Sequence, residues 1–206
     1  KPGKSLKRTA FHKMMPIGGM YPPNILPDEI LKAGEKRIRA VVCDSSNPML
    51  TYPDSSAQEE AFRTLDLLVV VDIAMTETAR LAHYVLPAAS QFEKLEATGF
   101  TLEFPENYFH LRHPIAQPMG EAMPEPEIYT RLLETMGVIP KKFPLLIAMA
   151  RNEPGITGHL GYMTALGLTL SRKKRWAPYG ASIMYRTLGQ TLRHAAVAPM
   201  LPIAMA

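Results

Sequence analysis

Residues 68–87 read LVVVDIAMTETARLAHYVLP. An apolar, β-branched run ends in one acid, Asp72, a Thr-Glu-Thr triplet follows at 76–78, and a second apolar run closes on Pro87. The run from Leu67 to Ile73 is short and nearly unbroken, which predicts a parallel strand covered on both faces. Thr76 is placed to cap a helix over 76–83 with Glu77 in its first turn. Tyr84 to Leu86 fits a third, very short strand. Upstream, IRAVVCD (38–44) predicts another buried strand. SSNP (45–48) is then a turn, because Asn and Ser bond nearby backbone and Pro48 disfavours helix at Asn47. Asp54 or Ser55 caps a helix to about Leu65. The alternation of strand and helix describes an α/β fold, a layered βαβ domain with a mostly parallel sheet and right-handed crossovers.

Working outward, residues 1–36 form a loop-rich arm, in which Asp28 is placed to cap a short helix through Lys36. From Pro87 to Glu121 the pattern is loop, with an extended piece at 108–115; a loop of that length in a compact domain is usually functional or wrapped over something. PEPEIYTRLLETM (124–136) predicts a helix with Ile128, Leu132, Leu133 and Met136 on one face and Gly137 as its stop. Helices are also predicted over 143–151, 160–170 and 182–196. The organisation is thus an arm (1–36), an α/β domain (37–138), and a helical C-terminal segment (139–206) leading to a further domain. Proline, 19 of 206 residues, sits largely at segment ends and in loops, consistent with long connections packed over a sheet. Both ends read as cut, so a fragment of a larger multidomain protein is expected.

Composition narrows the function classes. The net charge of +4 is mild, and its basic clusters are not interleaved with aromatics as in a nucleic-acid module, so no nucleic acid is expected as a partner. One cysteine excludes an internal disulfide framework and a four-cysteine cluster from this segment. Cys43 lies within the apolar strand run and is expected to be buried and inert. The six histidines show no metal-binding spacing, so no metal ligand is assigned. No apolar run reaches the roughly 18 residues that suggest a transmembrane helix, and a cytoplasmic location is expected.

In open parallel sheets, ligands bind beyond the carboxyl ends of the strands. Asp44-Ser-Ser-Asn47-Pro48, Asp72 and Pro87 all fall there. A strand-end acid can accept paired hydrogen bonds from a guanine edge or a ribose, and a helix starting at Thr76 would offer free N–H groups to an anion. These turns suit a nucleotide, although neither a dinucleotide fingerprint nor a P-loop is present. Plainer roles stand beside this one: Asp72 as a turn cap, Asn47 as a turn residue, Lys94 as a surface lysine paired with a neighbouring glutamate, Glu125 as a helix-start acid.

The strand followed by SSNP, then LDLLVVVDIAMTETARLAHYVLPAASQFEKLEATGF, then PIAQPMGEAMPEPEIYTRLLETMG, resembles the molybdopterin oxidoreductase family. These are large subunits of the formate dehydrogenase, nitrate reductase and dimethyl sulfoxide reductase type. The likeness covers about residues 37–138. It implies an oxidoreductase, formate dehydrogenase-like, whose intact form carries two molybdopterin guanine dinucleotides on molybdenum, one of them held in part by this domain. The family's nucleotide contacts then fall on Asn47, on the strand-end pair Val71 and Asp72, on Lys94 of the Glu-Lys pair, and on Glu125. One departure stands out: the family usually carries Ala-Asp before the VLP motif, where this chain has Ala82-His83.

The family's cluster-binding cysteines, molybdenum ligand and C-terminal barrel are not found here, so no catalytic residue is assigned. An iron–sulfur cluster would belong to sequence preceding this segment. Expected partners are the remaining domains and an electron-transfer subunit; the piece by itself is expected to be inactive. The alternatives are a non-catalytic scaffold of the same fold, as in the large iron–sulfur subunit of respiratory complex I, or an inactive truncated product.

Overall fold

The computed structural model of the chain describes residues 7–98, 110–151 and 156–191. They form two compact units, one up to Ala88 and one from Ala89.

In the first unit three strands, β1 (Ala40–Asp44), β2 (Leu67–Asp72) and β3 (Tyr84–Pro87), form a parallel sheet in that order. The register sets Ala40 against Leu67 and Val69 against Tyr84. Helices α1 (Leu26–Leu31) and α3 (Ser55–Arg63) supply Ile30, Ala61 and Phe62 to a core closed by Cys43, Leu68 and Val70. Successive strand residues point to opposite faces, so these three strand residues mark the covered face. On the opposite face Val42 and Tyr84 are 58% and 65% exposed, although Val71 is buried. Coverage of both faces, and a buried β1, are therefore corrected: the helices of this unit pack on one face.

Asp54 caps α3 as expected, in the left-handed region at φ 59°, its carboxylate accepting the Ala57 N–H at 3.0 Å. Asp28, by contrast, does not cap α1. It lies inside that helix, paired with Lys32 at 2.7 Å and with His12 at 2.8 Å, and the segment up to Lys36 is completed by a separate 3-10 turn, Gly34–Lys36. One short helix, α2 (Pro48–Thr51), was not anticipated; it winds on from the SSNP turn as Leu50 and Thr51 donate to the Asn47 carbonyl. The helix expected from Thr76 is also corrected, to a single 3-10 turn, Ala79–Leu81. Residues 73–83 connect two parallel neighbours, near the minimum for such a crossover, and an extended Ala82 ends the turn before β3.

In the second unit β4 (Glu96–Thr98) pairs antiparallel with β5 (His110–Arg112), giving structure to part of the expected extended piece; residues 108 and 109 lie outside the described residues. Helix α4 (Glu125–Thr135) follows Pro124, and Gly137 at φ 68° ends it. Its inward stripe differs from the apolar one expected. Ile128 is buried and Leu133 packs against the core as expected, but Leu132 and Met136 are 40% and 66% exposed. The inward side carries Glu127, Thr130 and Glu134, because Arg186 supplies the two acids with a partner. Helices α5 (Pro144–Arg151), α6 (Ile156–Arg172) and α7 (Gly180–Arg186) enclose a core of Phe143, Leu146, Tyr162, Leu166 and Ile183. The last expected helix stops at Arg186 and gives way to a 3-10 turn, Leu188–Thr191; its remainder lies outside the described residues.

Candidate functional site

Parallel strands in register bring Asp44 and Asp72 to the same edge of the sheet, since Asp44 stands opposite Val71. The loop after β1 is tied to that edge by the Ser45 N–H, which donates to the Val71 carbonyl at 2.9 Å. Ser45 itself has a positive φ of 51°. Asp72 turns one oxygen, Oδ1, back onto its own chain, accepting from Ile73 N at 2.7 Å and Ala74 N at 3.3 Å. The turn-cap role is thus real. Oδ2 takes no hydrogen bond from the described residues and remains available at the strand end.

Asn47 is the knot between the β1 and β2 loops. Its Oδ1 accepts from Thr78 Oγ1 at 2.8 Å and Thr78 N at 3.3 Å, while its Nδ2 donates to Glu77 Oε2 at 2.7 Å. The orientation of the amide follows from Thr78. The Thr78 backbone N–H can only donate, so the amide must present oxygen to it, and the hydroxyl, which accepts the Met49 N–H at 3.2 Å, gives its own proton to the same oxygen. Glu77, exposed to solvent, is held below the usual carboxylate range chiefly by the Asn47 amide. Glu77 and Thr78 are the functional candidates the sequence left unassigned; the TET triplet was legible only as a helix start.

The anion-binding part of the expectation is corrected. With no helix at Thr76, the N–H groups that would face an anion are spoken for: Thr78 N goes to Asn47, and Ala79 N to Thr76 Oγ1 at 3.2 Å. Cys43 is buried, as expected, its thiol pushed up to about 11 by burial and by the nearby Asp72 and Asp44 carboxylates. A thiol kept protonated in this way is a poor nucleophile.

His83 occupies the position where an aspartate was expected. Its Nδ1 accepts the Leu68 N–H at 2.8 Å, and its own N–H donates to the Leu68 carbonyl at 2.9 Å. The position needs an acceptor for one backbone donor, which imidazole and carboxylate both provide.

In the second unit Lys94 and Glu125 meet. Lys94 Nζ lies 2.5 Å from Glu125 Oε1 and 3.4 Å from Glu96 Oε1, with the lysine side chain only 12% exposed. Arg112 closes the network onto Glu96. Glu125 is also the first residue of α4, where an acid is favoured. The plain role of Glu125 is thus present, whereas the surface position expected of Lys94 is corrected: its side chain is largely buried, held by Glu125 as well as by the neighbouring Glu96, and two acids already balance its charge. Among the described residues no group of three or more His, Cys, Asp or Glu side chains could hold a metal ion, and no helix is long and apolar enough to cross a membrane. A cavity of about 660 Å³ in the first unit, lined by Met20, Ile25, Leu26, Ile38 and Tyr52, shares no residue with the strand-end site.

Comparison with known proteins bears on this arrangement. The family model for the molybdopterin oxidoreductase domain matches residues 14–135. The F420-dependent formate dehydrogenase 1 subunit alpha of Methanococcus maripaludis is 37% identical over 118 residues, which are 56% of this chain and 17% of that protein. The F420-dependent formate dehydrogenase subunit alpha of Methanocaldococcus jannaschii is 38% identical over 112 residues, 54% of this chain and 16% of that protein. Among solved structures, acetylene hydratase from Pelobacter acetylenicus superimposes with a TM-score of 0.52 at 26% identity, covering 57% of this chain and 16% of that one. The chain thus spans about one sixth of the length of these relatives.

Proposed function

The chain belongs to the molybdopterin oxidoreductase family, and from that premise we propose that it forms part of a formate dehydrogenase-like enzyme and helps to hold a molybdopterin guanine dinucleotide. The observation that carries this reading is the Asp72 carboxylate, presented at the carboxyl end of β2 with Oδ2 uncommitted. A guanine edge offers two adjacent N–H donors, N1 and N2, which a carboxylate accepts and an adenine edge does not provide. Asn47 holds the neighbouring loop, and Val71 fixes the backbone from which Asp72 projects. Lys94 and Glu125, paired within the second unit, are the other two positions on which the family resemblance places cofactor contacts.

The fit is partial. The guanine end has an acceptor waiting, whereas the acids Asp44, Asp72 and Glu77 outnumber Arg80, the cation that acts on Glu77, so a pyrophosphate at this edge of the first unit would need further neutralisation. When bound, the cofactor supplies the molybdenum at which an electron pair is exchanged with a small substrate. This chain contributes orientation of the nucleotide, not a reacting group. The relatives named as alpha subunits support further subunits, and an electron-transfer subunit is the partner this reading expects.

Titration of the 206-residue chain with guanosine 5′-diphosphate and adenosine 5′-diphosphate tests the reading by calorimetry. The expected result is binding of the guanine nucleotide alone, lost in Asp72→Ala. Equal binding of both, or guanine binding untouched by the substitution, overturns it. The second reading is a non-catalytic scaffold of the same fold. It is favoured by Asn47, whose amide is engaged at both ends by protein groups. A chain that binds neither nucleotide supports the scaffold.

A further inference from the structure

Asn47 makes two kinds of contact. On its oxygen side it meets Thr78, a residue with no solvent exposure whose hydroxyl is fixed at both ends, by Met49 N–H and by the amide itself. On its nitrogen side it meets Glu77, a fully exposed carboxylate free to leave for water. The first contact sets which way the amide faces. The second occupies one of the two N–H groups of the amide nitrogen. Because Thr78 holds the amide oxygen, Nδ2 faces the side where Glu77 stands, and a ligand that takes the N–H held by Glu77 must displace that carboxylate. A ligand bearing phosphates also meets the Glu77 charge beside Asp44 and Asp72 on the same edge.

We propose that Glu77 is a built-in competitor for the nucleotide, occupying the Asn47 donor in the ligand-free state, and that Thr78 is a positioning residue that keeps this donor aimed outward. The inference rests on the nucleotide reading above. It makes Glu77 a determinant of affinity and of ligand charge: an anionic oxygen replaces the carboxylate one for one at Asn47 Nδ2. The polar contacts exchange in number, since one acceptor leaves as another arrives, and Glu77 regains its water. The cost of the exchange is the Glu77–Asn47 bond together with the repulsion between Glu77 and the incoming phosphates.

The test compares the 206-residue chain with Glu77→Gln and Glu77→Ala, each titrated with guanosine 5′-diphosphate and with uncharged guanosine. Removing one exposed, charge-assisted bond and its repulsion is expected to tighten diphosphate binding by ~3- to 10-fold in Glu77→Ala. Glu77→Gln, which keeps an acceptor but loses the charge, is expected to fall between. Guanosine is expected to gain less than the diphosphate from either substitution. Thr78→Val, which leaves Asn47 Oδ1 with the longer backbone N–H contact alone, is expected to weaken the diphosphate and to reduce the gain from Glu77→Ala when the two are combined. A purely structural Glu77 would give weaker or unchanged binding in Glu77→Ala, and either result overturns the inference while leaving the nucleotide reading intact. Failure of every protein to bind the diphosphate overturns both.

Discussion

Two clusters in this molecule use the same kinds of groups and do opposite things with them. In the second unit Arg186 reaches α4 with its Nε 2.7 Å from Glu134 and its Nη1 3.1 Å from Glu127, all three side chains less than a fifth exposed. Burial by itself would raise the Glu127 carboxyl, but Arg131 and Arg186 outweigh it and hold it below the usual range. In the first unit Asn47, Glu77 and Asp72 lie at the open edge of a sheet, and both the Asn47–Glu77 contact and the Asp72 contacts are exposed. A saturated, desolvated ion pair fixes geometry, because breaking it strands a charge away from water. An exposed hydrogen bond costs little to exchange, and that property suits a ligand site.

The largest expected effect would break the first half of the contrast. Arg186→Ala leaves Glu134 buried without its cation and Glu127 with Arg131 alone, and is expected to destabilise the chain by about 2–4 kcal/mol, read as a fall in the urea midpoint. An unchanged midpoint would show α7 held by its apolar contacts alone. The same clamp predicts a pH dependence. Glu127 is depressed in the folded state, so its contribution to stability is present above its unfolded value near 4.5 and is lost as pH falls through the lower folded value. Stability of the native chain should therefore decline below about pH 4.5, and Arg186→Ala should flatten that decline, as followed by urea denaturation at successive pH values.

Asn47→Ala sharpens the other half. It removes the knot between two loops but strands only the hydroxyl and N–H of Thr78, so a loss of about 1–2 kcal/mol is expected, smaller than for Arg186. Equal losses would mean that the strand edge is as rigid as the clamp. The smallest effect should be a gain. Gln58, on α3, is wholly buried, and neither atom of its amide finds a hydrogen-bond partner among the described residues. Gln58→Met exchanges that amide for an apolar chain of similar length and is expected to raise stability by about 1 kcal/mol, measured as a higher thermal midpoint. A loss there would reveal a hidden partner for the amide.

Periodicity and local chemistry carried much of the fold. The β-branched runs ending at Asp44 and Asp72, the cap at Asp54, and the Pro124 and Gly137 boundaries of α4 depend on residues near one another, and short-range sterics and capping decide them. The site was half legible in the same way: Asp72 announces itself by closing an apolar run. Glu77 and Thr78 did not, because their meaning depends on a residue thirty positions earlier.

The sequence by itself determined that three short runs make a parallel sheet and that polar groups gather at its carboxyl edge, since pleat and register leave them nowhere else to go. Only the tertiary structure decided three other matters: that the 76–83 segment is a turn and not a helix, that one face of the sheet stays open at Val42 and Tyr84, and that α4 turns its glutamates inward. Each of these is settled by a partner distant in sequence: Asn47 for Thr78, the packing of α1 and α3 for the sheet face, Arg186 for Glu127 and Glu134. Local propensity is worth tenths of a kcal/mol per residue, whereas such contacts are worth whole kcal/mol, and the larger energy prevails.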